Sequence, residues 1–349
     1  MKKKRDIKGW QPSDVPVLRD DDGLSCGYDD YKVSVANMQE EIDKKFTKKK
    51  TQTETLGAAY HINDLLDRAY RVLDCGSFLE FRVSKDSAKL QHANFCRDRL
   101  CPMCNWRRSM KIFHQVSQVM DVIQSDYEFL FLTLTVKNCN AEDLPKTVQV
   151  LFDGWRYLYN KNREFKTVVC GTFRSLEVTR NPFTGQYHPH LHCILAVKKS
   201  YFIKGYLSQK RFTELWKKAC DLNYNPIVHV QKVYGRDSSG NKVQKGFDVK
   251  AAVCEATKYA VKGSDYLVPE DMDLTASVVR SLLDALSGRR LCGWTGIFAK
   301  TRKDLNLDDC ENGDLVHTDD SIRDDVEGLI VRYRWKCGVY VMLGEAELA

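Results

Sequence analysis

The chain has 349 residues, 43% of them hydrophobic, and a formal net charge of +7. That supply of apolar residues supports one large or two smaller cores of a soluble globular protein, and the lack of any apolar run near the roughly 18 residues of a membrane helix argues against a membrane span. The opening MKKKRDIKGW carries charge without an apolar stretch, and the thirteen cysteines, mostly scattered among apolar neighbours (Cys170, Cys193, Cys220, Cys254), read as reduced thiols; both point to a cytoplasmic rather than a secreted protein.

Residues 1–55 are charge-rich, with KKFTKKKTQTET near their end, and read as a mobile arm with a short helix over 33–46. From 56 to 73 the apolar spacing is helical, and a cysteine-bearing segment follows to residue 111. Within it Arg97, Arg99, Arg107, Arg108 and Lys111 accompany a single acid, Asp98, a concentration of charge that suits a phosphate backbone. EFLFLTLTV (128–136) reads as a buried strand and 144–159 as an amphipathic helix. FRSLEVTR (173–180) and YHPHLHCIL (187–195) are two strands joined by the turn composition NPFTG. A helix over 209–223, a strand over 227–234, the polar loop GRDSSGNK and a helix over 249–262 complete the block. Strand, helix, two strands, helix, strand is the order of a ferredoxin-like or RRM-like antiparallel sheet with helices on one face, an α+β fold. Beyond it come a helix over 277–286, an acidic stretch from 308 to 327 and the β-rich LIVRYRWKCGVYVML.

YHPHLHCIL places His188, His190 and His192 at alternate positions, and side chains two apart on a strand share a face. A hairpin closing around Phe183 and Thr184 sets Glu177 opposite His190, so that a carboxylate joins the imidazoles. A mixed nitrogen and oxygen set with open positions suits Mg²⁺ or Mn²⁺ acting on a phosphate and would also accept zinc. Either Glu177 or His188 can complete the shell around His190 and His192; the register favours Glu177.

CRDRLCPMC gives a C-x4-C-x2-C spacing through Cys96, Cys101 and Cys104, and Cys75 supplies a fourth thiolate upstream. Four thiolates make a closed structural zinc site. His92 is the alternative fourth ligand; the glycine after Cys75, which lets the backbone turn around a metal, favours the cysteine. The adjoining NWRRSMK sets Trp106, Arg107 and Arg108 beside the knuckle, fit with Arg97 and Arg99 for phosphate contact and base stacking. In DVKAAVCEATKYAVKGSDYL, Glu255 and Tyr259 are four apart and would share a helical face, with Lys262 one turn on. A tyrosine hydroxyl needs a neighbouring metal or base to become a nucleophile.

FLTLTV (131–136), YHPHLHCIL and EATKYAVKGSDY (255–266), in that order behind CRDRLCPMCNWRR, resemble the motifs of HUH rolling-circle replication initiators. More narrowly they resemble the Rep proteins of small Gram-positive plasmids that pair one catalytic tyrosine with a glutamate. The resemblance covers residues 70–305. It implies that His190 and His192 are the metal pair, that Tyr259 is the nucleophile and that Glu255 activates water to end replication. Tyr266 is a rival nucleophile beyond the expected helix end. It also implies Mg²⁺ or Mn²⁺ at the HUH site, plasmid origin DNA, single-stranded or in a hairpin, as substrate, and a host helicase and polymerase as partners. The chain then divides into an arm (1–55), a helix plus zinc segment (56–111), an HUH nicking domain (112–270) and a helical and β extension with an acidic loop (271–349). Rival readings are an HUH transposase or relaxase, a zinc-dependent DNA-binding regulator without catalysis, and a hydrolytic nuclease that forms no covalent adduct.

Overall fold

The computed structural model describes residues 38–83, 88–234, 247–258, 260–318, 329–343 and 347–348. In chain order the elements are α1 (Met38–Ile42), a π-helical turn (Asp43–Thr47), α2 (Lys48–Ile62), α3 (Leu66–Asp74), β1 (Phe78–Val83), β2 (Ala88–Ala93), α4 (Pro102–Ile123), β3 (Tyr127–Thr135), α5 (Leu144–Asn160), α6 (Arg163–Val168), β4 (Val169–Arg180) and β5 (Tyr187–Lys198). They continue with α7 (Gln209–Ala219), β6 (Val228–Tyr234), β7 (Phe247–Asp248), α8 (Val249–Ala256), α9 (Gly263–Tyr266), α10 (Met272–Leu286), β8 (Cys292–Thr295), α11 (Gly296–Asp304), β9 (Leu329–Lys336), β10 (Val339–Met342) and β11 (Glu347–Leu348).

The main sheet has the order β7-β6-β3-β5-β4-β8. β3 and β5 lie at its centre because both are apolar on both faces; β5 is buried almost throughout. The β4–β5 hairpin has the register the turn composition predicts, with Glu177 opposite His190 and Arg180 opposite Tyr187. Asn181 builds the turn, its side-chain oxygen accepting from the amides of Phe183 and Thr184. At the other end of β4 a bulge at Gly171 lets the β8–α11 corner approach. A Cβ there would lie 2.5 Å from the Ile297 amide nitrogen, and Gly296 opposite it has φ +53.

Helices cover both faces of this sheet, not one as the element order suggests. On the face of Arg174, Leu176 and Val178 lies α5, where the Arg174 guanidinium stacks 4.5 Å from the Phe152 ring. α7 packs beside α5 through Gly154, against Trp216 and Cys220. The opposite face, which carries Ser175, Glu177 and the histidines, takes α8: Ser175 Oγ donates to the Ala256 carbonyl at 2.5 Å. The element order does not specify the face on which a short helix after the last strand will dock.

A second sheet, β10-β9-β1-β2 with β11 also on β9, joins the cysteine-bearing segment to the C-terminal strands: Phe78 pairs with Arg334 and Val83 with Leu329. The β-rich tail therefore completes the unit of the cysteine-bearing segment instead of extending the chain beyond it. The boundary expected between 111 and 112 falls within α4, and the helix expected over 56–73 breaks between α2 and α3 at residues 63–65. The charged arm is shorter than its composition suggests. Residues 38–55 are helical, and Met38, Ile42 and Phe46 recur at intervals of four and pack inward, Phe46 at 5.7 Å from Phe81 and 5.1 Å from Trp106. The rest of the arm, the loop GRDSSGNK and part of the acidic stretch lie outside the described residues.

Candidate metal-centred active site

Two groups of candidate metal ligands converge among the described residues: Cys75, Cys96, Cys101 and Cys104, and Glu177, His190 and His192.

The four sulfurs approach to 3.5 Å (Cys101 to Cys75), 3.6 Å (Cys75 to Cys104) and 3.7 Å (Cys96 to Cys104). Ligands on a tetrahedron with Zn–S bonds of about 2.3 Å are about 3.8 Å apart, so the cluster has the dimensions of a thiolate zinc site. Backbone amides point at the sulfurs, Arg97 N–H to Cys104 Sγ at 3.2 Å and Cys96 N–H to Cys75 Sγ at 3.4 Å, as anionic sulfur requires. Cations lie against it as well: Lys50, 1% exposed, faces Cys75 and Cys101, and the charge of Arg108 acts on Cys104. Burial would raise the Cys104 thiol, but hydrogen bonds from Cys101, Cys75 and Cys96, together with Arg108, hold it well below the usual range. His92 takes no part; its ring is exposed, 3.6 Å from Glu80.

The basic run beside the knuckle is spent inside the protein. Arg107 and Arg108 are 3% and 2% exposed, and they donate to the carbonyls of Leu315 and Glu311, both at 2.9 Å. Lys111 meets Asp308 at 2.5 Å. The described part of the acidic stretch thus folds onto α4 and occupies the charges expected to face phosphate. Arg99 donates to the Leu286 and Arg289 carbonyls at 2.7 and 2.6 Å, and Trp106 is half-buried under Lys49. Of the expected DNA contacts, Arg97 and Lys262 are exposed.

The second group is built by the hairpin. His190 Nε2 and His192 Nε2 face each other at 3.0 Å, and Glu177 Oε2 lies 3.2 Å from the first and 2.9 Å from the second. Three lone-pair groups converging on one point in a buried site could hold a cation between them. The rings are held from behind: His190 Nδ1 is 3.0 Å from the His188 carbonyl, which accepts its proton, and His192 Nδ1 is 3.3 Å from Thr133 Oγ1. These contacts turn Nε2 of each ring toward the carboxylate. Burial opposes charge on Glu177, yet the hydrogen bonds and charge of His190 and His192 outweigh it and hold the carboxyl well below its ordinary range. Burial lowers His192, and it lowers His188 to about 4. His188 turns away from the cluster, with its Nδ1 2.7 Å from Asn138 Oδ1.

α8 brings Glu255 to the rim of this triad, 3.6 Å from His192 Nε2. The turn after α8 brings a residue the sequence reading passed over: Lys258 Nζ binds both carboxylate oxygens of Glu255, at 2.6 and 2.5 Å, and is itself largely buried. Its spacing of three from Glu255 was the available signal. The helix expected to carry Glu255, Tyr259 and Lys262 on one face ends at Ala256, and Lys262 has extended backbone, φ -90 and ψ 144. The Ala260 carbonyl is instead drawn onto β4, accepting from the Val178 amide at 2.7 Å. Tyr259 lies outside the described residues. Tyr266, the rival nucleophile, is 1% exposed; its hydroxyl donates to the Leu100 carbonyl, and burial pushes its pKa well above the usual value. It buttresses the cysteine knuckle.

The sequence matches the family described as "Replication protein" over residues 87–341. It is 39% identical over 274 residues to a "Protein rep" of Bacillus sp, covering 75% of this chain and 87% of that protein. It is 41% identical over 263 residues to a "Protein rep" of Lactiplantibacillus plantarum, covering 72% and 80%. A "Protein rep" of Staphylococcus aureus is 32% identical over 239 residues, covering 66% of this chain and 98% of that protein. No solved structure matches. The family match runs past residue 305, where the motif resemblance stops, and takes in β9 and most of β10, the strands that close the second sheet on β1. No helix among the described residues is long and apolar enough to cross a membrane.

Proposed function

Because the chain belongs to the Rep replication-protein family, we propose that it initiates rolling-circle replication of a plasmid by nicking one origin strand and holding its 5′ end on Tyr259. The observation that carries this reading is the convergence of Glu177, His190 and His192, with Glu255 3.6 Å from His192 at the rim. The strand order β6-β3-β5-β4, with the helices between, is that of a ferredoxin-like sheet and supports an HUH fold.

The mixed nitrogen and oxygen donor set, with positions left for a phosphate oxygen, suits Mg²⁺ or Mn²⁺. A divalent cation there would neutralise charge on an oxygen of the scissile phosphate and orient it. The Tyr259 oxygen forms a bond to phosphorus as the 3′ oxygen leaves, giving a 5′-phosphotyrosine and a free 3′-OH that a host polymerase extends. A single tyrosine cannot repeat this step while it is loaded. Glu255 supplies the exit, taking a proton from the water that attacks the phosphotyrosine, and Lys258 orients its carboxylate. The substrate strand is single-stranded or extruded in a hairpin, since in-line attack needs access that a duplex denies. The cysteine knuckle, through Cys75, Cys96, Cys101 and Cys104, would hold structural Zn²⁺ and carry no chemistry.

The test is incubation with Mn²⁺ and single-stranded oligonucleotides carrying the origin sequence, read on a denaturing gel for a covalent protein–DNA band. Tyr259→Phe should abolish the band, Tyr266→Phe should leave it wherever the protein folds, and Glu255→Ala should let it accumulate. Cleavage by the wild type without any adduct would mean that water attacks directly, and the protein would then be a hydrolytic nuclease.

A further inference from the structure

Residues 178–213 contain no aspartate or glutamate. Within them the connection from β5 to α7 turns large apolar groups outward: Phe202 is 39%, Ile203 84% and Tyr206 61% exposed. Such groups usually line a core, and a loop this apolar needs a partner or a collapsed state. It is not collapsed. Tyr201 is buried beneath it, its hydroxyl donating to the Leu207 carbonyl at 3.2 Å and accepting from the Leu207 amide at 3.1 Å, which closes the loop on a fixed base. The Phe202 and Tyr206 rings rest on that base, 5.0 and 5.8 Å from Tyr201 and 6.4 Å from each other. Lys232, paired with Glu128 at 3.1 Å, lies 4.5 Å over the Phe202 ring, and Lys198 at the end of β5 and Lys204 within the loop are exposed.

Exposed aromatic rings with lysines beside them, set on a hydrogen-bonded base, are the parts of a stacking platform for unpaired bases. We propose that Phe202 and Tyr206 form a secondary binding surface for single-stranded DNA, with the lysines meeting its phosphates. The choice of ligand rests on the strand-nicking reading; the surface itself does not. Lys198 is six residues along β5 from His192, about 20 Å at 3.3 Å per residue, so the platform would hold nucleotides several positions from the cut. A duplex hides its base faces and would gain nothing from the rings.

The experiment compares wild type, Phe202→Ala/Tyr206→Ala and Phe202→Trp/Tyr206→Phe. Binding is measured by fluorescence anisotropy with a single-stranded oligonucleotide of about 20 nucleotides, with its duplex, and with a strand containing 2-aminopurine to report stacking, no divalent cation being added. The double alanine variant should lose roughly tenfold or more in single-strand affinity, together with the 2-aminopurine quenching. Duplex affinity should stay unchanged, and the aromatic replacement should restore single-strand binding. Adduct formation on a short oligonucleotide spanning only the cut should persist in all three. Unchanged single-strand affinity in the alanine variant, or equal losses for single strand and duplex, would overturn the platform. Failure of the wild type to form any adduct would overturn the nicking reading instead, leaving the affinity comparison intact.

Discussion

The two ligand clusters are made of similar stuff and arranged to opposite ends. The cysteine knuckle has four sulfurs, backbone amides pointing at them, and Lys50 and Arg108 against it, so a metal held there would be surrounded by protein. The hairpin triad has three ligands fixed from behind by Thr133 and the His188 carbonyl, and in front of it stands the ion pair of Glu255 and Lys258. A filled shell can only hold the chain together; a shell with positions left can also take a substrate oxygen. The comparison separates a site whose loss should be felt as stability from one whose loss should be felt as activity.

The sharpest way to break that contrast is to exchange the symptoms. His190→Ala/His192→Ala should lower the nicking rate by about 10³-fold or more, with the melting temperature nearly unchanged. A collapse of the fold in that variant would make the triad structural. Cys101→Ser should do the reverse, destabilising the protein by more than about 4 kcal/mol in urea unfolding and releasing zinc to a chromogenic chelator. Lys258→Met should leave adduct formation intact and slow the hydrolytic release of the adduct by about tenfold or more, with Lys258→Arg restoring part of the rate; unchanged release would remove Lys258 from the site's chemistry. Thr133→Val, which deletes the contact behind His192, should weaken Mn²⁺ binding at the triad by about tenfold in calorimetry and leave zinc content unchanged.

The smallest effect is in the pH profile. His192 titrates below the ordinary histidine value and Glu177 well below the ordinary carboxylate value, so both are already deprotonated, and competent as ligands, at neutral pH. The ring resonances of His192, followed by NMR without added metal, should therefore stay flat as pH falls through about 6.5 and shift only at lower pH, as the ring takes up its proton. A midpoint at about 6.5 would mean that burial does not govern the His192 ring.

Much of the candidate site is local and was legible as such. Alternation of His188, His190 and His192 with a turn over residues 181–186 sets the hairpin register, and with it Glu177 against His190, because pairing in a two-stranded ribbon depends on the turn and the two strands alone. The spacing of Cys96, Cys101 and Cys104 is legible for the same reason, since those three close over a few residues, while Cys75 comes from 21 residues upstream of Cys96. The basic run shows the limit of such reading. Arg107, Arg108 and Lys111 look from their spacing like a phosphate-binding face, and only the return of the segment around 308–316, some two hundred residues later, buries them.

By itself, then, the sequence brought out the two groups of candidate ligands, the core strands and the order that builds the sheet, all of which follow from periodicity and short-range spacing. Tertiary structure alone decided the rest. It docked α8 on the histidine face, so that Glu255 and Lys258 reach the triad; it buried Tyr266 beside the knuckle; and it paired the C-terminal strands with β1. Those outcomes depend on which distant surfaces bury each other most completely. That choice is made by the whole chain's packing and hydrogen bonding and leaves no periodic trace in any one segment.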